Sequence, residues 1–494
     1  MQLPQRPNIV ILISDETRRP MHWPADWVRN NLPAMQRLMN NGLTFTRAYT
    51  AACECSPSRA SFLTSTYPEQ NGVDVTFTTP LPTTLANLAT ILATANYPVI
   101  WKGKWHLSHP VSGSNWTEAD IAALQTNYGM QQWNPPDAGT SLGVDSTLGG
   151  GIPNNDGRFV MGVTMPVTNP QTQTLGVGGT SALDFINGYE SSSGPFCLVV
   201  SLVNPHDVFV YPNLTKAGYA LSAFQNIPIG LPPNFADDLT TKPSVQLAFR
   251  NKFDQSSPLS SETDLYNYVR FYAYLHTLSD QLFNLILDAL AGRGLTNSTL
   301  VIRMADHGEM GLSHGLREKM YTAYDEAINV PFIVSNPLVW PEGQQTDALI
   351  SLLDLVPTLA ELTGAQTSGL HGKSFAPILD GRAKSVHESV VYTYDDQFNL
   401  PQTMATHIRT LRTDAYKYSV YFTESTPAGN FEYELYDMAN DPGELTNLVY
   451  GNVSPAIGEV WKTLHCELTE KLKKDGAMPS NVDWPVQPPV PTAT

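Results

Sequence analysis

The chain has 494 residues, 42% hydrophobic and 15% charged, a balance that fits a folded enzyme of two or three units and excludes a disordered segment. Its formal net charge of -17, with no long Lys/Arg run to offset it, excludes nucleic acid and extended polyanions as natural partners but leaves room for a small anion in a locally positive pocket. No run of 18 apolar residues marks a membrane span, and four cysteines are too few for a disulfide scaffold.

In chain order, Met1–Pro7 lacks the charged-then-apolar pattern of a signal peptide. A cytoplasmic location is expected, with a mature periplasmic or secreted form as the alternative. Asn8–Ile13 is a continuous apolar, β-branched run that ends in Ser14-Asp15-Glu16. It reads as a strand buried on both faces with acids at its carboxyl tip. Leu32–Asn41 has helical spacing and stops at Gly42. Ser56–Ser65 reads as a helix with Pro57 in its first turn. Thr84–Ala95 is a further helix and Tyr97–Trp101 a further strand.

From Ser108 to about Gly178 the chain is rich in Gly, Pro, Asn and Thr and reads as an irregular insert near the strand tips. Strands follow at Pro195–Val203, Thr299–Met304 and Pro331–Val334, with helices at Asp264–Leu290 and Leu352–Leu362. Cys197 lies inside an apolar run and reads as a buried strand thiol; Cys466, on a C-terminal helix, takes the same plain reading. Alternating strands and helices predict an α/β protein, a large mostly parallel sheet sandwiched by helices, over residues 1–380. Residues 381–494 are expected to form a smaller α+β unit. Its short antiparallel strands are Val390–Tyr394, His407–Arg412, Tyr416–Phe422 and Glu434–Asp437, followed by a helix over about 456–474 and a Pro-rich tail.

Ligands of such sheets bind beyond the carboxyl ends of the strands. Polar clusters fall there: Asp15 after the first strand, His206 after the Cys197 strand, and Asp306 with His307 after the Thr299 strand. Two carboxylates and an imidazole suit a hard or borderline divalent ion. The sharpest motif is Cys55-Ser56-Pro57-Ser58-Arg59, a C-x-P-x-R pattern that composition would produce about 0.01 times by chance.

At this motif the chain resembles the type I, formylglycine-dependent sulfatases of the alkaline phosphatase superfamily. The resemblance extends through Gly103–Leu107, Asp306-His307-Gly308, Gly315–Lys319, Leu435-Tyr436-Asp437 and Asp441-Pro442. Ser65 stands where the family usually has Gly. The resemblance implies that Cys55, rather than Cys53, is oxidised to formylglycine by a formylglycine-generating enzyme. It also implies that Asp15, Asp306, His307 and Cys55 carry a divalent metal, Ca²⁺ ahead of Mn²⁺ and Mg²⁺. Glu16 replaces a frequent second Asp and is left as either a ligand or a neighbour of the ligands.

By the same resemblance Arg59, Lys104, His106, His206 and Lys319 form an anion clamp. His206 acts on the leaving-group oxygen and His106 deprotonates the hydroxyl that expels sulfate. The expected function is hydrolysis of a small aryl or alkyl sulfate monoester. Trp105, Trp116, Trp133, Phe209 and Tyr211 are candidates to line an aromatic pocket, and Asp207 and His314 are further polar candidates. The alternatives are a formylglycine-dependent phosphonate monoester or phosphodiester hydrolase, and an unmatured homologue that only binds anions. A homo-oligomer is compatible with the sequence.

Overall fold

The computed structural model describes residues 4–76, 79–109, 118–133, 156–162, 181–214, 218–395, 400–401, 403–424 and 430–490. Most of the Gly/Pro-rich insert, Trp116 included, lies outside these residues.

The strands are β1 (Asn8–Ser14), β2 (Gly42–Tyr49), β3 (Ala52–Cys53), β4 (Val99–Gly103), β5 (Met130–Gln131), β6 (Cys197–Leu202), β7 (Thr299–Ala305), β8 (Phe332–Ser335), β9 (Gln344–Ser351), β10 (Ser389–Tyr394), β11 (His407–Thr413), β12 (Tyr416–Phe422) and β13 (Phe431–Asp437). Eight form one sheet in the order β5-β4-β6-β1-β7-β8-β2-β9. Only β8 runs against its neighbours β7 and β2; the other pairings are parallel.

Strand β1 is central and wholly buried because both its faces are covered. Ile9, Ile11 and Ile13 point into one apolar core, Val10 and Leu12 into another. The first core takes Ala60, Phe62 and Leu63 of the helix Cys55–Thr64 and Leu355, Val356 and Leu359 of the helix Leu355–Thr363. The second takes Leu282, Phe283, Ile286 and Leu290 of the long helix Glu262–Gly292. Each such buried side chain contributes about 1.5–3 kcal/mol relative to exposure.

Three strands of this sheet, β2, β5 and β9, are absent from the sequence reading. Gly42 opens β2 instead of closing a helix, which ends at Asn40. A side chain at Gly42 would meet the Leu38 and Val334 carbonyls at 2.6 and 2.7 Å, so glycine is required for close approach rather than as a helix stop. Strand β9 is an edge strand whose first half is largely exposed and polar, and so carries no apolar signature. The described part of the insert is also more regular than expected. The helix Glu118–Tyr128 leads into β5, which extends the large sheet beside β4.

The second sheet has the order β13-β12-β11-β10-β3, antiparallel except for the β10–β3 pair. The helix Pro455–Lys474 covers it, setting Trp461, Leu464, Leu468 and Leu472 against Leu411, Tyr418, Val420 and Leu435. The short strand β3 comes from the N-terminal part of the chain and ends two residues before Cys55. Among the described residues no helix is long and apolar enough to cross a membrane.

Candidate active site

The carboxyl tips of β1, β4, β6 and β7 converge on the start of the helix Cys55–Thr64. Asp15 and Glu16 leave β1, Lys104 and His106 follow β4, His206 follows β6, and Asp306 and His307 follow β7. Cys55 is the first residue of its helix, so its side chain sits where backbone N–H groups lack partners and favour negative charge. Ser58 fixes the helix from below, donating from Oγ to the Asp306 carbonyl at 2.7 Å. Ser56 Oγ donates to the His106 carbonyl, also at 2.7 Å.

Around Cys55 Sγ lie His307 Nε2 at 3.2 Å, Lys104 Nζ at 3.6 Å and Asp15 Oδ1 at 3.7 Å. Arg59, one helical turn on, donates from Nε to Asp306 Oδ2 and from Nη2 to Asp15 Oδ2, each at 2.9 Å. Its Nη1 reaches the Lys104 carbonyl and Ser201 Oγ at 2.9 and 3.0 Å. Lys104 Nζ pairs with Asp15 Oδ2 at 2.6 Å. Asp306 Oδ1 accepts the amides of Glu16 and His307 at 3.1 and 3.0 Å. The His307 Nδ1 lies 3.0 Å from the Gly308 carbonyl, a contact that aims Nε2 at position 55.

Charge balance explains how these groups tolerate burial. Desolvation alone would raise the Asp15 pKa, but Lys104 and Arg59 overcome it and hold the carboxylate well below its ordinary value. The same contact with Asp15 keeps Lys104 protonated against its own desolvation. Burial, then the negative charge of Asp15, pushes an unmodified Cys55 thiol up to about 12. A plain thiol here is therefore a poor nucleophile near neutral pH. His106 and His206 are held well below the usual histidine range by burial and then by Lys104, with Arg59 adding to His106 and Lys319 to His206. Both are neutral imidazoles at pH 7.

The structure thus brings Asp15, Cys55, Arg59, Lys104, Asp306 and His307 into direct contact. A second group adjoins it: His206 Nε2 lies 3.5 Å and Lys319 Nζ 3.1 Å from Glu16 Oε2. One donor atom each from Asp15, Cys55, Asp306 and His307 lies within 4.8 Å of the others, all in buried residues. The two carboxylates and the imidazole of this set fit a hard or borderline divalent ion; the fourth donor is the Cys55 sulfur. Glu16 sits between this set and Lys319, adopting φ 60° to turn away from β1.

Three of the aromatic candidates are elsewhere. Trp105, Trp133 and Tyr211 are buried in apolar cores. Phe209 alone among the described candidates faces the site, its ring centroid 5.5 Å from that of His206. His314 is occupied structurally, stacked on Tyr324 and bonded to Asp237 at 2.7 Å. Asp207 accepts the Tyr219 hydroxyl at 2.5 Å. Cys197 is buried as expected, whereas Cys466 is exposed.

Sequence reasoning did not reach two supporting residues. Ser201 binds Arg59 from within a strand that reads as uniformly apolar. Asp156 accepts the Val203 and Asn204 amides at 2.8 and 2.9 Å and so clamps the segment that presents His206. Asp156 lies in the insert, where no periodicity marks it.

A buried position 55 flanked by cations, acids and an imidazole at the carboxyl tips of a mostly parallel sheet defines a hydrolase of anionic esters. Residues 7–365 match the family model described as Sulfatase, and residues 312–474 match N-sulphoglucosamine sulphohydrolase, C-terminal. A delta 4,5-hexuronate-2-O-sulfatase of Bacteroides thetaiotaomicron is 28% identical over 463 residues, covering 90% of this chain and 85% of that one. The solved structure of a 2-O GAG sulfatase shares the fold with a TM-score of 0.71 at 22% identity, over 97% of this chain and 95% of its own. The phosphonate monoester hydrolase of Agrobacterium radiobacter shares it with a TM-score of 0.66 at 21% identity, over 96% of each chain. The chain belongs to the sulfatase family. It is an enzyme that acts on sulfate esters, and its family implies a divalent metal and formylglycine.

Proposed function

We propose that the chain hydrolyses a small sulfate monoester whose leaving group is an alcohol, a sugar hydroxyl rather than a phenol, with Cys55 as formylglycine. The observation that carries this reading is the convergence of Lys104, His307 and Asp15 on Sγ within 3.7 Å, backed by Arg59. Formylglycine at position 55 would supply a hydrated aldehyde as the nucleophile, and Asp15, Asp306 and His307 would hold a divalent ion that supplies positive charge beside it.

The chain's own residues do the rest. Arg59 locks the Asp15 and Asp306 carboxylates and, with the helix N-terminus, sets a positive field at position 55. Lys104 and Lys319 offset charge that spreads over the sulfate oxygens. His106, neutral at working pH, accepts a proton from the hydroxyl at position 55. His206, also neutral, donates a hydrogen bond from its N–H to the leaving-group oxygen, which matters most when that oxygen belongs to a poorly departing alcohol. The core location of Trp105, Trp133 and Tyr211 removes much of the support for an aryl pocket. The hexuronate 2-O-sulfatase relative supports a sugar ester instead.

Intact mass of protein matured with a formylglycine-generating enzyme is expected to fall by about 18 Da at Cys55, the thiol-to-aldehyde difference needed for covalent catalysis. In a panel of sugar sulfates, nitrophenyl sulfate and a phosphonate monoester, a sugar sulfate should give the highest kcat/KM. Faster turnover of the phosphonate would establish the phosphonate hydrolase instead. His206→Ala should lower kcat/KM for alkyl sulfates by about 10²-fold or more and for nitrophenyl sulfate much less. Equal losses on both would remove the leaving-group role.

A further inference from the structure

His206 is buried, but its ring is not aimed in the usual way. A working imidazole is normally oriented by a bond at its second nitrogen, as His307 is by the Gly308 carbonyl at 3.0 Å. The Nδ1 of His206 has no hydrogen-bond partner among the described residues. Its Nε2 lies 3.5 Å from Glu16 Oε2, longer than a normal hydrogen bond. Phe209 meets the ring edge-on at 5.5 Å, which restrains it on one side only. The direction of the imidazole therefore depends on where the backbone at 203–207 sits.

Two side chains from elsewhere in the chain fix that backbone. Asp156 divides its carboxylate between consecutive amides, Oδ1 accepting from Val203 at 2.8 Å and Oδ2 from Asn204 at 2.9 Å. Val203 in turn accepts the His206 amide on its carbonyl at 3.0 Å, so the clamped residue is the one that holds His206. Asp156 is itself firmly seated. It precedes the helix Gly157–Met161, whose Phe159 and Val160 are buried in the core with Val10, Leu12, Leu198 and Val200.

The second side chain is Tyr219. Its hydroxyl accepts from Asn204 Nδ2 at 3.1 Å and donates to Asp207 Oδ2 at 2.5 Å. It thus ties together the residues that flank Pro205 and His206. Its ring is buried against Phe271 of the long helix Glu262–Gly292, with centroids 5.0 Å apart.

We infer that Asp156 and Tyr219 are positioning residues for the leaving-group step, bracing His206 from both sides and aiming its imidazole through the backbone. The inference rests on the reading of His206 given above. A misplacement of about 1 Å at such a group costs on the order of 10²-fold in rate. Loss of either brace should therefore act mainly on substrates that need His206.

Steady-state kinetics of the matured full-length enzyme on an alkyl sulfate and on nitrophenyl sulfate test this. Asp156→Ala should lower kcat on the alkyl sulfate by about tenfold or more and on nitrophenyl sulfate by less than about twofold, with KM little changed on either. Asp156→Asn, which keeps one acceptor, should recover part of the loss. Tyr219→Phe should show the same selectivity at smaller size. His206→Ala completes a double-mutant cycle. Adding Asp156→Ala to it should cost less than about twofold further on the alkyl sulfate, because the residue that the brace serves is gone. Losses that multiply in the double variant overturn the inference. So do equal losses on the two substrates from Asp156→Ala when His206→Ala discriminates between them. If His206→Ala itself lowers both substrates equally, the leaving-group role of His206 falls, and the cycle still decides whether Asp156 acts through that residue. If Asp156→Ala does not fold by circular dichroism, Tyr219→Phe takes its place in the cycle.

Discussion

Two buried regions of this protein are held by opposite means. At the tips of β1, β4 and β7, Arg59 and Lys104 neutralise Asp15 and Asp306 at 2.6–2.9 Å, with no side-chain exposure on any of the four. Between the small sheet and the helix Pro455–Lys474, apolar side chains make most of the contact, with polar links from Tyr418 to His465 and from Ser389 to Glu467 and Lys471. The first region is indivisible, because removing one ion strands its partners in a medium that cannot solvate them. The second is divisible, because each side chain contributes its own buried area.

Substitutions in each region should expose the contrast. Cys55→Ala should abolish turnover while leaving the unfolding midpoint near that of wild type, as read by a substrate assay and thermal melting on one preparation. Residual turnover in that variant would show that position 55 is not the nucleophile. Arg59→Ala should cost about 3–5 kcal/mol in denaturant unfolding, because Asp15 and Asp306 are both left without their guanidinium. A loss under about 1 kcal/mol would mean that the centre rearranges freely and is not the interlocked unit described. Leu468→Ala should cost about 2–4 kcal/mol through a cavity beneath the small sheet, with kcat unchanged for the folded fraction. A fall in kcat would show that the two regions are coupled.

The smallest effect expected is a pH slope at the clamp behind His206. Burial raises the Asp156 carboxyl to about 7, against the pull of the Asn204 and Val203 amides. Its folded pKa lies above its unfolded value of 3.8, so its contribution is full below that value and is lost as pH rises through about 7. Thermal melts between pH 5 and pH 8 should show this loss in wild type and a shallower slope in Asp156→Asn.

Elements buried on both faces were legible in the sequence. Strand β1 reads as a strand because every residue is apolar or small, and the acids after it read as a site because nothing else would end such a run in charge. The Cys55 motif stood out because its C-x-P-x-R spacing is rare by chance and falls within the first turns of one helix. Strands β2 and β9 were not, because they are partly exposed and their pairing depends on partners hundreds of residues away. The Trp105, Trp133 and Tyr211 rings show the converse limit: an aromatic near a motif in sequence can face the core instead of the site. Asp156 and Ser201 gave no signal because their role exists only once the tips have met.

The pairing of β3 with β10 has a bearing on how the protein is made. Thr393 donates its amide to the Ala51 carbonyl at 2.9 Å, and its hydroxyl reaches across the same 342-residue separation. During synthesis the stretch leading into Cys55 leaves the ribosome long before the strand that latches it. Throughout that interval β3, two residues before Cys55, is without the strand that pairs with it in the finished fold.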